Sequence, residues 1–99
     1  MSLKIEKKNE NPVILALTGR LDTSTAPQLE TEISDLLSTQ TAVTLDMDKL
    51  EYISSAGLRV ILKTQKALEG KDGLKLTNVS EAVKEVFDIT GFSDFLTIE

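Results

Sequence analysis

The sequence predicts a single α/β domain over residues 1–99, with a mixed, mostly parallel sheet of about five strands and three or more helices packed against it. A chain of 99 residues, 40% of them hydrophobic and only two of them proline, is the size and composition of one globular core. Segments that alternate like strands take turns with segments of helical spacing, in the order β-β-α-β-α-β-α-β. No repeat, low-complexity tract or long linker divides the sequence.

Two strands open the predicted fold. Leu3–Lys8 and Val13–Leu17 alternate apolar and polar residues, and the turn sequence Asn9–Pro12 lies between them. This arrangement is typical of a β-hairpin. We expect the second strand to end at Gly19.

A helix, a strand and a second helix follow. Thr25–Ser38 has apolar residues at helical spacing, and Thr25 with Gln28 predicts a capping box at its start. Val43–Met47 alternates like a strand, and Leu58–Leu68 returns to helical spacing. The sequence therefore predicts parallel strands joined by helical crossovers.

The last third repeats this pattern. Leu74–Val79 reads as a strand, and Ser80 predicts the N-cap of a third helix that Gly91 ends. Phe92 is expected to close this helix with a hydrophobic contact, and Phe95–Ile98 is predicted to form a last short strand.

Composition excludes several classes of function. The chain has no cysteine and no histidine, which excludes disulfides and thiol nucleophiles and disfavours most hydrolytic and metal-dependent catalysis. Its net charge of −5 has the wrong sign for binding nucleic acid or anionic lipid. No apolar run has the length of a signal peptide or membrane span, so we expect a cytoplasmic protein without membrane insertion. Charges on the first strand discourage edge pairing, and we expect a monomer; they are Lys4, Glu6, Lys7 and Lys8.

Tyr52–Leu58, where strand becomes helix, is the candidate functional segment. Partners and ligands of α/β sheets gather where strands end and helices begin. Ser54 and Ser55 stand at such a helix start, whose unpaired N–H groups favour an anion. Gly57 lacks a Cβ, so a bulky group could approach the backbone closely. The alternative is that Ser54 or Ser55 only caps the helix, and spacing does not decide the matter.

The sequence does not match the enzyme and metal-binding motifs that its serines and acidic residues bring to mind. A Gly-x-Ser-x-Gly nucleophile elbow would need glycine in place of Ile53 or Ala56, and no histidine could activate the serine. The acidic residues Asp46, Asp48 and Glu51 lack the ligand spacing of a calcium loop, so we interpret them as a solvated strand end. We expect no catalysis, no metal and no cofactor.

Three segments carry a resemblance to a known family. They are Leu17–Asp22 with the helix start Ala26-Pro27, Asp48–Leu58, and Val86–Phe92. In this order they resemble the first signature, the phosphorylation loop and the C-terminal helix end of the STAS domain family of anti-sigma factor antagonists. The resemblance covers nearly the whole chain and implies a STAS-like fold.

The resemblance implies a binding switch rather than an enzyme. Family members bind an anti-sigma factor that is also a serine kinase, which frees the sigma factor, and phosphorylation of one serine releases the antagonist. Counting back from Gly57 and Leu58 puts that serine at Ser55. Ser54 stands where the family has Asp, and Ala56 where it has Ser or Thr.

The implied partner surface lies at two sheet-to-helix turns. Its residues are Asp22, Thr23, Ser24, Thr25, Ser54, Ala56, Gly57, Leu58 and Arg59. Asp22 matches the family's other acidic position beside the loop and is expected to supply part of the charge that Ser54 lacks. Leu58 shares a helical period with Ile61, so a core position is its rival interpretation. The alternative function is a constitutive interaction or ligand-sensing module of the same fold, for example a transporter or signalling-complex subunit.

Overall fold

The computed structural model describes residues 3–10, 12–94 and 96–98. It contains five strands and three α-helices, followed by one turn of 3₁₀-helix at Phe92–Asp94. The strands are β1 (Leu3–Glu10), β2 (Val13–Leu21), β3 (Ala42–Ile53), β4 (Gly73–Thr77) and β5 (Thr97–Ile98). The helices are α1 (Ala26–Leu37), α2 (Ser55–Ala67) and α3 (Glu81–Thr90). The predicted α/β class and element order are confirmed.

The sheet has the strand order β1-β2-β3-β4-β5. β1 is antiparallel to β2, and each later pair of neighbours is parallel. Because the strands lie side by side in chain order, right-handed crossovers bring all three helices to the same face of the sheet. In the described ranges, no helix is long and apolar enough to cross a membrane.

The hydrophobic core lies between this face and the helices. Buried side chains from the three central strands form cross-strand rows: Val13, Val43 and Leu74 in one, Leu15, Leu45 and Leu76 in the next. Fully buried Leu29, Ile61 and Phe87 cover these rows from α1, α2 and α3. The alternating strand positions point to the opposite face, where Thr44 and Asp46 lie.

Strands β2 and β3 are longer than the sequence predicted. β2 does not end at Gly19 but continues to Leu21, and β3 continues past Met47 to Ile53. Irregular register between β2 and β3, including one shift after Gly19, breaks the alternation on which the prediction rested. Gly19 tolerates this irregularity because its φ is +106°. Pairing with the neighbouring strand extends both elements, and local periodicity does not report such pairing.

The predicted capping box at the start of α1 is wrong. The Thr25 side chain makes no cap hydrogen bond to the helix. Its Oγ1 instead donates to the Arg20 carbonyl at 2.8 Å and accepts from the Asp22 N–H at 2.8 Å. The Gln28 amide reaches the Leu3 carbonyl at 3.0 Å. Partners from the neighbouring loop and strand therefore displace the local cap.

Helix α3 has the predicted ends. The Ser80 hydroxyl accepts from the Val83 N–H at 3.2 Å, and Gly91 ends the helix with a φ of +80°. Phe92 is half-buried against the core, as expected for the closing contact. β5 is confirmed at Thr97–Ile98, and the part of this prediction that falls on Phe95 lies outside the described residues.

Candidate functional site at the ends of strands β2 and β3

The carboxyl ends of β2 and β3 lie side by side and form the site. Leu21 and Ile53 are paired in the parallel ladder, and the Ser54 N–H donates to the Leu21 carbonyl at 2.9 Å. The turn Asp22–Thr25 leads from β2 into α1, and Ser54 leads from β3 into α2. The two segments predicted to carry partner-binding residues are therefore adjacent.

The two serines at the start of α2 have different roles. Ser54 is the N-cap, with extended backbone, and its hydroxyl accepts from the Gly57 N–H at 3.4 Å. Ser55 is the first helical residue and is exposed. Within the described ranges, no side-chain hydrogen bond engages the Ser55 hydroxyl. The sequence left open whether Ser54 or Ser55 only caps the helix. In the structure Ser54 is the cap, and the Ser55 hydroxyl faces solvent.

Gly57 allows a close approach, but by the chain's own side chains. A Cβ at this position would lie 2.7 Å from Leu21 Cγ and 3.0 Å from Ile53 Cγ1. Both of those side chains are buried in the core. The missing Cβ therefore lets the first turn of α2 sit directly on the ends of β2 and β3. Leu58 is only 5% exposed, which confirms its interpretation as a core residue.

The Asp22 carboxylate organises the neighbouring turn. Its Oδ1 accepts from the Ser24 N–H at 3.0 Å, from the Ser24 hydroxyl at 2.8 Å and from the Thr25 N–H at 3.2 Å. These hydrogen bonds, with that from the Ser24 hydroxyl as the largest contribution, lower the pKa of Asp22 against an opposing effect of desolvation. The carboxylate is therefore ionised at neutral pH and places a negative charge on the turn beside Ser54.

An Arg20–Tyr52 pair lies just before the two turns. The Arg20 guanidinium carbon is 4.2 Å from the centre of the Tyr52 ring, a cation–π contact. Arg20 Nε also lies 3.8 Å from Asp22 Oδ2. Tyr52 is 41% exposed, which is unusual for a large hydrophobic residue in this fold. Sequence reasoning missed the pair, because its only signal is the β2–β3 register that aligns Arg20 with Tyr52.

The candidate partner-binding residues differ in accessibility. Thr23, Ser24, Ser55 and Arg59 are exposed, Asp22, Ser54 and Ala56 are half-buried, and Thr25, Gly57 and Leu58 are buried. The buried three face the interior of the free chain. The surface available at this end of the sheet therefore consists of the exposed and half-buried residues.

Of the three acidic residues before the site, Asp48 and Glu51 are exposed, whereas Asp46 is buried. Asp46 points to the opposite side of the sheet, where its carboxylate accepts from Asn78 Nδ2 at 3.0 Å, Lys8 Nζ at 3.1 Å and the Asp48 N–H at 3.1 Å. The Asn78 hydrogen bond is the largest of the contributions that lower the pKa of Asp46. The interpretation of a solvated strand end is wrong for Asp46, because this carboxylate is only 12% exposed.

Comparison with known proteins agrees with this fold. The model of the STAS domain family matches residues 4–99. The protein BtrV of Bordetella bronchiseptica is 40% identical over 87 residues, which cover 86% of this chain and 75% of that protein. The anti-sigma-B factor antagonist of Bacillus subtilis is 32% identical over 100 residues, which cover 99% of this chain and 92% of that protein.

Solved structures show the same architecture. An anti-sigma factor antagonist from Mycobacterium paratuberculosis superposes with a TM-score of 0.87 at 20% identity, covering 97% of this chain and 84% of that one. The anti-sigma factor antagonist SpoIIAA in its unphosphorylated form superposes with a TM-score of 0.80 at 24% identity, covering 98% of this chain and 87% of that one. The resemblance detected from the three sequence segments is confirmed, and the chain belongs to the STAS domain family.

Proposed function

We propose that this protein is an anti-sigma factor antagonist that acts by binding, in the cytoplasm, an anti-sigma factor with serine kinase activity. Binding withdraws the anti-sigma factor from its sigma factor, and phosphorylation of Ser55 ends the binding. The name of the Bacillus subtilis relative, an anti-sigma-B factor antagonist that covers 99% of this chain, supports the general role. One observation carries the switch: the Ser55 hydroxyl is exposed at the first position of α2, while Ser54 provides the cap.

The local structure is compatible with a phosphate on Ser55. A phosphoryl group adds about −1.5 to −2 charges and three acceptor oxygens. At a helix N-terminus an exposed anion is stabilised by about 0.3–1 kcal/mol, and the Ser54 cap does not depend on the Ser55 hydroxyl. We therefore expect α2 to survive phosphorylation and the change to be felt by the partner.

The off-switch acts at the interface. The partner-facing residues that we propose are each exposed or half-buried in the free chain. They are Asp22, Thr23, Ser24, Ser54, Ser55, Ala56 and Arg59. A phosphate there, next to the ionised Asp22 turn, places an unpaired charge in the contact. Such a contact costs about 2–5 kcal/mol, which corresponds to about 30-fold to several thousand-fold in affinity.

The test is phosphorylation and binding with purified proteins. The chain is incubated with ATP, Mg²⁺ and each of a panel of anti-sigma factor kinases, and modified residues are mapped by mass spectrometry. We expect phosphate on Ser55, loss of modification in S55A, and weaker kinase binding by S55D than by the parent or S55A. S80D is the matched control, because Ser80 is also an exposed serine at a helix start. Equal binding by S55D and S80D contradicts the proposed site.

A constitutive interaction or ligand-sensing module of the same fold is the second candidate. It is favoured by the residue at position 54, since Ser54 places no carboxylate beside Ser55 to orient the hydroxyl or a magnesium ion during transfer. Tight binding of an anti-sigma factor without phosphate incorporation supports this second function and contradicts the switch.

A further inference from the structure

A groove between α1 and α2 extends from the proposed partner surface along both helices. It has a volume of about 490 Å³ and begins at Thr23, Ala56 and Arg59, which all lie in that surface. Its apolar lining comes from Ala26 and Pro27 on α1 and from Ala56, Val60 and Leu62 on α2. We call it the α1–α2 groove.

The charge of the groove is opposite to that of the protein. Arg59, Lys63 and Lys66 line it from α2, and all three are exposed. Glu30 is its one acidic lining residue, and this carboxylate is already paired with Lys63 Nζ at 2.7 Å. The groove thus carries an excess of positive charge on a chain whose net charge is −5.

The spacing of these cations favours a helical ligand. Arg59, Lys63 and Lys66 are four and three residues apart, so they follow one face of α2. From Ala56 to Lys66 this face is about 15 Å long at 1.5 Å per residue, the length of about three helical turns. An extended peptide would find few partners for its backbone here, because the walls are helices whose own N–H and C=O groups are bonded within them. A helix brings its backbone hydrogen bonds with it and needs only an apolar face.

We propose that the α1–α2 groove binds an amphipathic helix of the anti-sigma factor, with its apolar face on the groove and acidic side chains against Arg59, Lys63 and Lys66. This inference rests on the proposed function and extends the contact from Ser55 along α2. The partner's carboxylates replace Glu30 at Lys63 when the helix docks. The Glu30–Lys63 pair is exposed, so its separation costs little.

The first test is charge reversal far from Ser55. The affinity of an anti-sigma factor that binds the parent chain is measured by calorimetry at low and moderate salt. We expect K66E to weaken binding about tenfold and to flatten its salt dependence, and E30Q to strengthen binding about twofold. K84E, which makes the same charge change at an exposed position of α3, is expected to bind like the parent.

The second test identifies the bound segment. The chain has no cysteine, so K66C can be labelled at a single position with a photocrosslinker, with K84C as the control. We expect K66C to crosslink to an acidic amphipathic helix of the anti-sigma factor, and a charge reversal in that helix to restore the affinity lost in K66E. A crosslink to a segment without acidic residues overturns the proposal.

The two proposals fail in different ways. If no anti-sigma factor binds the parent, the proposed function is wrong. If S55D weakens binding while K66E binds like K84E, the groove proposal is wrong and the proposed function stands. Two other occupants are tested with the chain alone. NMR resonances of groove residues that shift with inorganic phosphate would overturn the proposal in favour of a small anion. A dimer that K66E dissociates would overturn it in favour of a second copy.

Discussion

The two serines at the start of α2 can be separated by their effects on stability. Ser54→Ala removes the hydroxyl that accepts from the Gly57 N–H, whereas Ser55→Ala removes a hydroxyl that faces solvent. We therefore expect the first substitution to destabilise the fold and the second to leave it nearly unchanged. The prediction matters for function, because a serine whose hydroxyl does not stabilise the helix can be phosphorylated without unfolding that helix.

The magnitude follows from the geometry of the cap. Loss of a serine cap costs about 0.5–2 kcal/mol, and the 3.4 Å distance at Ser54 is long for a hydrogen bond, which favours about 0.5–1 kcal/mol. The Ser54 N–H remains bonded to the Leu21 carbonyl, so the start of the helix stays in place. With an unfolding entropy of about 0.2 kcal/mol per kelvin for 99 residues, S54A should lower the melting temperature by about 2–5 °C.

Thermal and urea unfolding of the parent, S54A and S55A measure this difference. S55A should stay within about 0.5 kcal/mol of the parent, as exposed substitutions usually do. S54D is the matched control, since Asp caps as well as Ser and should keep the parent's stability. A larger loss in S55A than in S54A would refute the assignment of the cap and remove the structural basis for a switch at Ser55.

Three further predictions concern the packing and the electrostatics of the fold. Gly57→Ala places a Cβ 2.7 Å from Leu21 Cγ. The overpacking should cost about 1–3 kcal/mol and exceed the gain of about 1 kcal/mol in helix propensity, so the free energy of unfolding should fall. This loss should disappear in a Leu21→Ala background, where the clashing side chain is absent. For Gly91→Ala, the added Cβ meets no atom within 4 Å among the described residues beyond its chain neighbours, so its cost of about 1 kcal/mol comes from the φ of +80°. By urea unfolding, this cost should be the same in the parent and in the Leu21→Ala background. The folded state lowers the pKa of Asp46, chiefly through the hydrogen bond from Asn78. The ionised carboxylate therefore contributes stability above its unfolded pKa, and this stability is lost as the pH falls through the folded pKa. D46N should show a shallower decline in unfolding free energy than the parent from about pH 5 to about pH 3, and equal slopes would contradict this.

Much of the fold could be predicted because the signals are local. Hydrophobic period distinguishes strand from helix within a few residues, and this was sufficient for the class and the element order. The ends of α3 followed from the chemistry of two residues, since Ser80 offers an acceptor and Gly91 adopts a positive φ. The position of Ser55 followed from the resemblance of one short segment.

The prediction failed where residues distant in sequence become neighbours. Thr25 looked like a cap, but its hydroxyl is engaged by the backbone of Arg20 and Asp22. Gly57 suggested room for an external group, but Leu21 and Ile53 fill that space. Both errors have the same origin. A local pattern shows that a residue can form a hydrogen bond or leave space beside the backbone, but the packing decides which neighbour forms that bond or fills that space.

The amino-acid sequence by itself determined the α/β class, the order of its elements and the family, because alternation, helical period and short motifs are properties of contiguous residues. Only the tertiary structure decided which serine caps α2, which candidate residues are exposed, and that a positively charged groove extends from the site. These depend on the parallel pairing of Leu21 with Ile53 and on the packing of α1 beside α2. Register and packing join segments some 30 residues apart, and the helical or strand period of one segment does not identify its partner.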